Sequence, residues 1–310
     1  MIAAHADWST DPRKRWVTVA RRNAAGWTAT AARPVGDPAA LVAGFLGEGG
    51  PVALGLDLPL GLPRGFARGC AEPDFPAFLR GLATRPGFFD VNPTLATISR
   101  DAPFYPARGI KGMTRLSHAQ ALGLADAAGL SRACDRATAE RPAGAPLFWT
   151  LGANQSGKAA IAAWRDWLAP GLCAGAPYRL WPFEGGLHAL LAPGQAALAE
   201  VYPAEAMRHI GVRLAGSKRA QAPRCAAGDA LHAAMARLRV APDAALTAAI
   251  ADGFGTDAAG EDRFDSLLGL LGLIGVIDGV RPDSIPDDPW IRRWEGWVLG
   301  QAAPRPPQGL

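Results

Sequence analysis

Pro51-Val52-Ala53-Leu54-Gly55-Leu56-Asp57 reads as a fully apolar strand closed by an acid, the kind of strand buried on both faces inside a sheet. Everything before it fits one sheet. Asp37 is placed as an N-cap with Pro38 in the first helical position, Leu41 to Leu46 continue the helix, and Gly47, Gly49 and Gly50 end it. Upstream, Trp27 to Ala32 and Arg15 to Arg22 are predicted strands, joined by turn chemistry at Asn23-Ala24-Ala25-Gly26. Ile2 to Ser9 is a further strand, with His5, Asp7 and Ser9 on one face by the period-two rule. A three-stranded antiparallel meander, a helix and a returning strand therefore open the chain.

Two of these strands end in carboxylates, Asp7 and Asp57, and a third acidic group, Asp262 with Asp265, opens the apolar segment Leu267 to Ile277. A carboxylate at the end of a buried strand is costly unless a cation meets it. Three such places in one chain point to a shared cation, and hard divalent ions choose oxygen ligands. Asp262 and Asp265 stand three apart, on one helical face. Glu200, at the end of a predicted strand Ala196 to Tyr202, is a candidate fifth member. Taken singly, each has a plainer reading. Asp262 or Asp265 would favour a helix N-terminus, Asp57 before Leu58-Pro59 would suit a turn, and Glu200 could pair with an arginine.

The order strand, strand, strand, helix, strand resembles the opening of a ribonuclease H-like fold, in which the first and fourth strands lie side by side. That resemblance implies an α/β fold with a mixed sheet, three antiparallel strands followed by parallel ones, carrying a large and mainly helical insertion. The core is expected over 1–62 and 178–300, the insertion over 63–177 as a cap with segments at Phe75 to Leu82, Ser117 to Ala128 and Ala159 to Leu168, and a tail over 301–310. Tyr178 to Phe183 is a further predicted strand, and Ala204 to Ile210 and the region Ala226 to Ala251 are predicted helical.

Composition sets the outer bounds. With 310 residues, 49% of them hydrophobic, the chain can bury a large core. A formal charge of +4 is compatible with an anionic partner but does not demand nucleic acid. The charge is uneven, since Met207 to Gly228 holds no Asp or Glu but holds Arg208, Arg213, Lys218, Arg219 and Arg224. This stretch is either a phosphate-facing patch or a solvated helix and loop. Four scattered cysteines form no ligand-like pair and fit a reducing, cytoplasmic setting. The apolar segment Leu267 to Ile277 is too short to cross a bilayer, so no membrane partner is expected.

Gly152-Ala153-Asn154-Gln155-Ser156-Gly157-Lys158-Ala159 matches GxxxxGK, but Ala159 stands where a phosphate-binding loop needs a hydroxyl for magnesium. Gln155 and Lys158 could still hold a phosphate at a helix start, or the glycines could only shape a turn. Arg132 and Arg136, around Cys134-Asp135 on a predicted helix that reaches Glu140, would line the same cleft or form intrahelical ion pairs. Of the ten tryptophans, Trp149, Trp164, Trp167 and Trp181 read as core residues more readily than as base-stacking platforms.

Longer strings carry a family resemblance. Asp7-Trp8-Ser9, Gly55-Leu56-Asp57-Leu58-Pro59-Leu60-Gly61-Leu62-Pro63, Leu180-Trp181-Pro182-Phe183-Glu184-Gly185, Glu200-Val201-Tyr202-Pro203 and Asp262-Arg263-Phe264-Asp265 resemble the family called domain of unknown function 429, regarded as predicted ribonuclease H-like nucleases. The Asp-x-x-Asp pair is also similar to that of bacterial Holliday-junction resolvases, although those carry a glutamate where this chain has Asp57. The resemblance implies a hydrolase of nucleic acid or of a small phosphorylated ligand. Asp7, Asp57, Asp262 and Asp265 would then hold magnesium or manganese, and Glu200 would join them in catalysis. Apart from the resemblance, their charge and the Gly-Lys loop make Arg132, Arg136, Gln155, Lys158, Lys218 and Arg219 the candidate substrate contacts. A small-molecule phosphotransferase of the sugar-kinase and actin type, or a binding protein without catalysis, are the alternatives.

Overall fold

The computed structural model describes residues 1–109, 111–138, 141–151 and 156–302. These form two compact units. The first comprises Met1–Asp57, Pro177–Ser284 and Val298–Gly300; the second comprises Leu58–Ala176, Ile285–Trp297 and, at its end, Gln301 and Ala302. Ile285–Trp297, expected with the sheet, thus belongs to the second unit. The expected tail from 301 is also revised at its first residue. Gln301 is buried, its amide donating to the Cys134 carbonyl at 3.1 Å; residues 303–310 of that tail lie outside the described residues.

The first unit is an α/β body built on a mixed eight-stranded sheet. Its strands are β1 (Ile2–Asp7), β2 (Trp16–Asn23), β3 (Gly26–Ala29), β4 (Arg33–Pro34), β5 (Val52–Leu56), β6 (Tyr178–Leu180), β7 (Ala196–Glu200) and β8 (Val240–Pro242). They run in the order β6-β7-β5-β1-β2-β3-β8, with β4 also on β2. The pairs β1–β2 and β2–β3 are antiparallel, and β1–β5, β5–β7, β6–β7 and β3–β8 are parallel. At the β2–β3 turn, Asn23 Oδ1 accepts from the N–H groups of Ala25 and Gly26, and Gly26 has φ +142°. No side chain fits there, because a Cβ would overlap the Arg239 carbonyl, which itself accepts from Trp27 N at 2.8 Å.

Strands β1, β5 and β7 are buried along their whole length, so helices must cover both faces. The labelled helices of this unit are α1 (Pro38–Gly47), α2 (Pro203–His209), α3 (Gln221–Ala226), α4 (Gly228–Arg237), α5 (Ala244–Ala251) and α6 (Gly260–Ile277). Asp37 caps α1 as its sequence position predicts, accepting from Ala40 N at 2.7 Å. The predicted helical region 226–251 is broken by β8, which adds a parallel edge strand between α4 and α5.

Helix α6 is buried on nearly all sides after its first turn and apolar from Leu267 on, as suits a helix with sheet on one side and α2 on the other. Small residues let it approach closely. A Cβ on Gly269 would overlap the His5 ring, one on Gly272 would stand 2.6 Å from Ala206 Cβ, and Ser266 Oγ meets Thr18 Oγ1 at 2.6 Å. Register pairs His5 with Thr18 and Asp7 with Trp16, so all four share the face that α6 covers. Arg263 lies over the Trp16 ring at 4.9 Å and pins the first turn of the helix beside Asp7.

The second unit is mainly helical, with short helices at Arg64–Ala67, Phe75–Gly81, Arg115–Ala121, Ser156–Ala163 and Ala169–Cys173. Phe88 is the hub of its core, with Phe66, Phe78, Phe104 and Phe148 around it at centroid distances of 5.4 to 6.5 Å. The helix expected around Arg132 and Arg136 is instead a single tight turn, Ala133–Asp135. No helix among the described residues is long and apolar enough to cross a membrane.

A candidate metal centre at the ends of β1 and β5

Strand β1 ends at Asp7, and Asp57 follows the last residue of β5 in the neighbouring position, its N–H donating to the Ala6 carbonyl at 3.1 Å. Because β1 and β5 are parallel and pair Ala6 with Leu56, the next residues, Asp7 and Asp57, point to the same face. Their carboxyls are close enough for each to act on the other's protonation. The first turns of α6 bring Asp262 and Asp265 over that face, Asp265 at 5% exposure and Asp7 at 7%, while Asp262 is half-buried. Four of the five sequence candidates thus converge in the first unit.

The fifth does not join them. Glu200 pairs in register with Leu56, so strand alternation turns it to the face opposite Asp57. It is fully buried, and its charge is still felt at Asp57, but its carboxylate does not lie on the Asp7 face.

The charges in this cluster are poorly matched. Burial first, then the carboxylates of Asp57, Asp265 and Asp262, push the Asp7 carboxyl well above its usual range. Asp57 is partly buried as a residue, yet its carboxyl is pushed up to about 7, by burial first and then by Asp265, against the opposing effects of Lys218 and the adjoining Asp7 carboxyl. Asp265 is pushed up to about 6, burial outweighing its contact with Lys218. Asp262 is raised by burial and then by Glu261. In this state protons supply what positive charge the cluster lacks.

One cation is already present. Lys218 Nζ bonds Asp265 Oδ2 and stands 3.4 Å from Glu261 Oε1. Its partial burial opposes the charge, but Asp265, Glu261 and Asp57 outweigh it and hold the ammonium above its ordinary range. The other oxygen, Asp265 Oδ1, is buried with no hydrogen-bond partner. A buried carboxylate oxygen without a donor costs about 1–3 kcal/mol or more, and an oxygen-seeking ion would satisfy it. Donor type and this orphaned atom suit a hard divalent cation, although no three of these carboxylates bring their oxygens within 4.8 Å of one another.

The remaining candidates separate. Arg219 is largely exposed, with Nε 3.7 Å from Glu261. Arg224, in the stretch read as either phosphate-facing or solvated, is instead 1% exposed and donates to three carbonyls, of Gly253 at 2.8 Å, Gly255 at 2.6 Å and Lys218 at 2.5 Å. Arg208 pairs with Glu205 at 3.2 Å, and Arg213 is exposed. The basic stretch is therefore part scaffold and part surface.

In the second unit, Arg132 is fully buried, forked onto Asp135 at 2.9 and 3.0 Å and donating to the Leu60 and Glu295 carbonyls. It is a packing clamp and offers no free face to a substrate. Arg136 is exposed. Lys158 lies half-buried in the helix Ser156–Ala163, and Gln155 lies outside the described residues. Gly157 has a packing reason, since a Cβ there would overlap the Leu147 carbonyl. Trp149, Trp164 and Trp167 are buried here, and Trp181 is buried in the first unit, all as core residues.

Sequence reasoning missed Glu261, which shares Lys218 with Asp265, and Lys14, whose charge acts on Asp262. Adjacency to the Asp-x-x-Asp pair was the only available signal for Glu261. His5, two residues before Asp7, is scaffold: burial lowers its pKa to about 4, and its Nε2 meets the Val201 carbonyl at 3.1 Å. The chain matches no family model, no curated protein and no solved structure.

Proposed function

We propose that the first unit is a ribonuclease H-like hydrolase of phosphodiesters that works with magnesium or manganese. The observation that carries this reading is the placement of Asp7 and Asp57 side by side at two strand ends, with a buried Asp265 whose Oδ1 has no partner acting on both. Asp7, Asp57, Asp265 and Asp262 would hold the ion. Bound there, it supplies Lewis-acid activation of water and charge for the leaving oxygen. The chain's own residues do the rest. Helix α6 holds Asp262 and Asp265 against the sheet, and exposed Arg219 would attract a phosphate. The strand order, with β1 between antiparallel β2 and parallel β5, supports the same fold class as the resemblance of the Asp7, Asp57 and Asp262 to Asp265 strings.

Hydrolysis of bis(4-nitrophenyl) phosphate and of single- and double-stranded oligonucleotides tests it. Manganese-dependent turnover is expected in the wild type, with a loss of about 100-fold or more in Asp7→Asn and Asp57→Asn. Turnover that survives in both variants sinks the reading.

One observation favours a second reading, a binding protein without catalysis. Lys218 already neutralises Asp265 and stands where a metal would otherwise be needed. On that reading neither magnesium nor manganese raises the melting temperature of the wild type.

A further inference from the structure

The helix Arg115–Ala121 of the second unit is held by few side chains. Of its residues only His118 and Ala119 are buried, while Arg115, Leu116, Gln120 and Ala121 are exposed. It packs on two short turns, Leu95–Thr97 and Ala127–Leu130. A helix of two turns does not persist in water by itself, so its anchors decide whether it stays in place. Ala119 offers one methyl group. The larger anchor is His118, followed just past the helix by buried Leu122 and Leu124.

The seat of His118 suits only a neutral ring. The residue is 0% exposed, and its Nε2 lies 2.8 Å from the Pro103 carbonyl, so that nitrogen carries the proton and donates it. Nδ1 is then a bare acceptor, buried without a hydrogen-bond partner. The rings of Tyr105 and Trp149 stand beside it, at centroid distances of 5.4 and 6.1 Å. No counter-ion is at hand among the described residues. On the same helix Arg115 lies over the Trp149 ring, and Asp126, at the head of the turn Ala127–Leu130, is exposed and accepts from Gly129 N at 3.0 Å. The turn Leu95–Thr97 holds no charged residue; beyond it Arg100 donates to the Phe66 carbonyl and Asp101 is exposed. Residues 103–106 and 147–150 carry no acid or base besides the phenol of Tyr105.

A second proton on this ring would bury an N–H without an acceptor and a charge without a partner. Burial accordingly lowers the pKa of His118, with only the Pro103 carbonyl opposing. The other four histidines belong to the first unit, so in the second unit this is the one side chain of the type that changes charge between pH 5 and 7.

We propose that His118 is an acid-release latch: neutral, it holds the helix Arg115–Ala121 in place, and protonated it lets the helix and the chain up to Leu124 lift, baring the rings of Tyr105 and Trp149. This does not depend on the metal reading. The folded state favours the neutral ring, so the latch is complete above pH 6.5 and is lost as pH falls below it.

Hydrogen exchange of the whole chain, corrected for the pH dependence of free amides, tests the latch. The amides of Leu122 and Leu124, bonded to the His118 and Ala119 carbonyls, report the opening. Between pH 7.5 and pH 5 their opening constant should rise several-fold, with about 30-fold as the ceiling for one group that titrates near 6.5 when free. The helix Phe75–Gly81 of the same unit should change less than about twofold. His118→Gln, which keeps a donor for the Pro103 carbonyl but does not titrate, should abolish the rise. A flat wild type, an equal rise at Phe75–Gly81, or the same rise in His118→Gln overturns the proposal. If the variant does not fold, intermediate pH values on the wild type decide: a rise that begins near pH 6.5 supports the latch, and one that begins only below pH 5 belongs to carboxylates and overturns it.

Discussion

Asp7 and Asp57 stand side by side at the ends of two parallel strands, the Asp57 N–H donating to the Ala6 carbonyl at 3.1 Å. Two buried acids set side by side favour a proton or a cation between them, and burial together with each other's charge raises both carboxyls. The metal-free protein therefore holds a proton there that its unfolded chain would release.

The first prediction follows from the sign of that shift. Asp57 holds its proton up to about pH 7 in the folded state and to about 4 when unfolded. Between those values the folded protein binds more protons, so this group's contribution to stability falls as pH rises through that window and is flat above it. Buried His5, with its pKa lowered to about 4, acts in the opposite sense below pH 6.5, so the informative quantity is a difference between two proteins. Asp57→Asn should gain on the wild type by on the order of 2 kcal/mol between pH 4.5 and pH 8 without metal, by urea denaturation. Parallel stability curves would contradict the shared proton.

Much of this centre is legible in the sequence, for a physical reason. Asp7 and Asp57 end apolar runs, and an acid at the end of a buried run signals itself through its cost. The Asp37 cap and the Asn23 to Gly26 turn are equally local. Glu200 carries the same signal as Asp57, but which face it takes depends on a register with β5 that no local pattern specifies. A one-residue offset reverses the side. The Lys218 contact with Asp265 spans 47 residues, and β8 has only three residues between two helices. A buried arginine and a solvated one have the same letter, so neither Arg224, read as phosphate-facing or solvated, nor Arg132, read as a substrate contact or a helical ion pair, showed its packing role.

Gly269→Ala should separate α6 from the sheet. The new methyl would overlap the His5 ring, which is tied to the Val201 carbonyl and cannot retreat. Overpacking of this kind costs about 1–3 kcal/mol, more than the helix gains from alanine. Urea midpoints should show the loss, and His5→Ala in the same chain should remove most of it. Equal midpoints for Gly269→Ala and wild type would mean that the helix does not rest on His5.

Arg224→Met should cost about 3 kcal/mol or more, because three carbonyls lose a charged donor in a buried place. Arg224→Lys should recover little, since an ammonium cannot reach three divergent acceptors as a planar fork does. Full recovery by lysine would show that charge, not the fork, holds the loop.

In the second unit, Arg132→Met leaves Asp135 buried without its forked partner, a loss of about 3–5 kcal/mol. Arg132→Met with Asp135→Leu should be far milder, and Arg136→Ala, at an exposed site, should stay within about 0.5 kcal/mol. Denaturant midpoints of the three proteins check the order. A mild Arg132→Met would return that arginine to the list of possible substrate contacts.

The strand order also bears on how the protein is made. Strand β5 pairs with β1 on one side, but its other neighbour, β7, begins about 140 residues later in the chain. At roughly 5–20 residues per second a ribosome needs on the order of ten seconds to reach it. For that interval the most apolar strand of the nascent sheet has an open edge, able to pair with whatever extended chain is near. Expression yield should therefore respond to translation speed through residues 58–195 and to chaperone supply, more than to the stability of the finished fold.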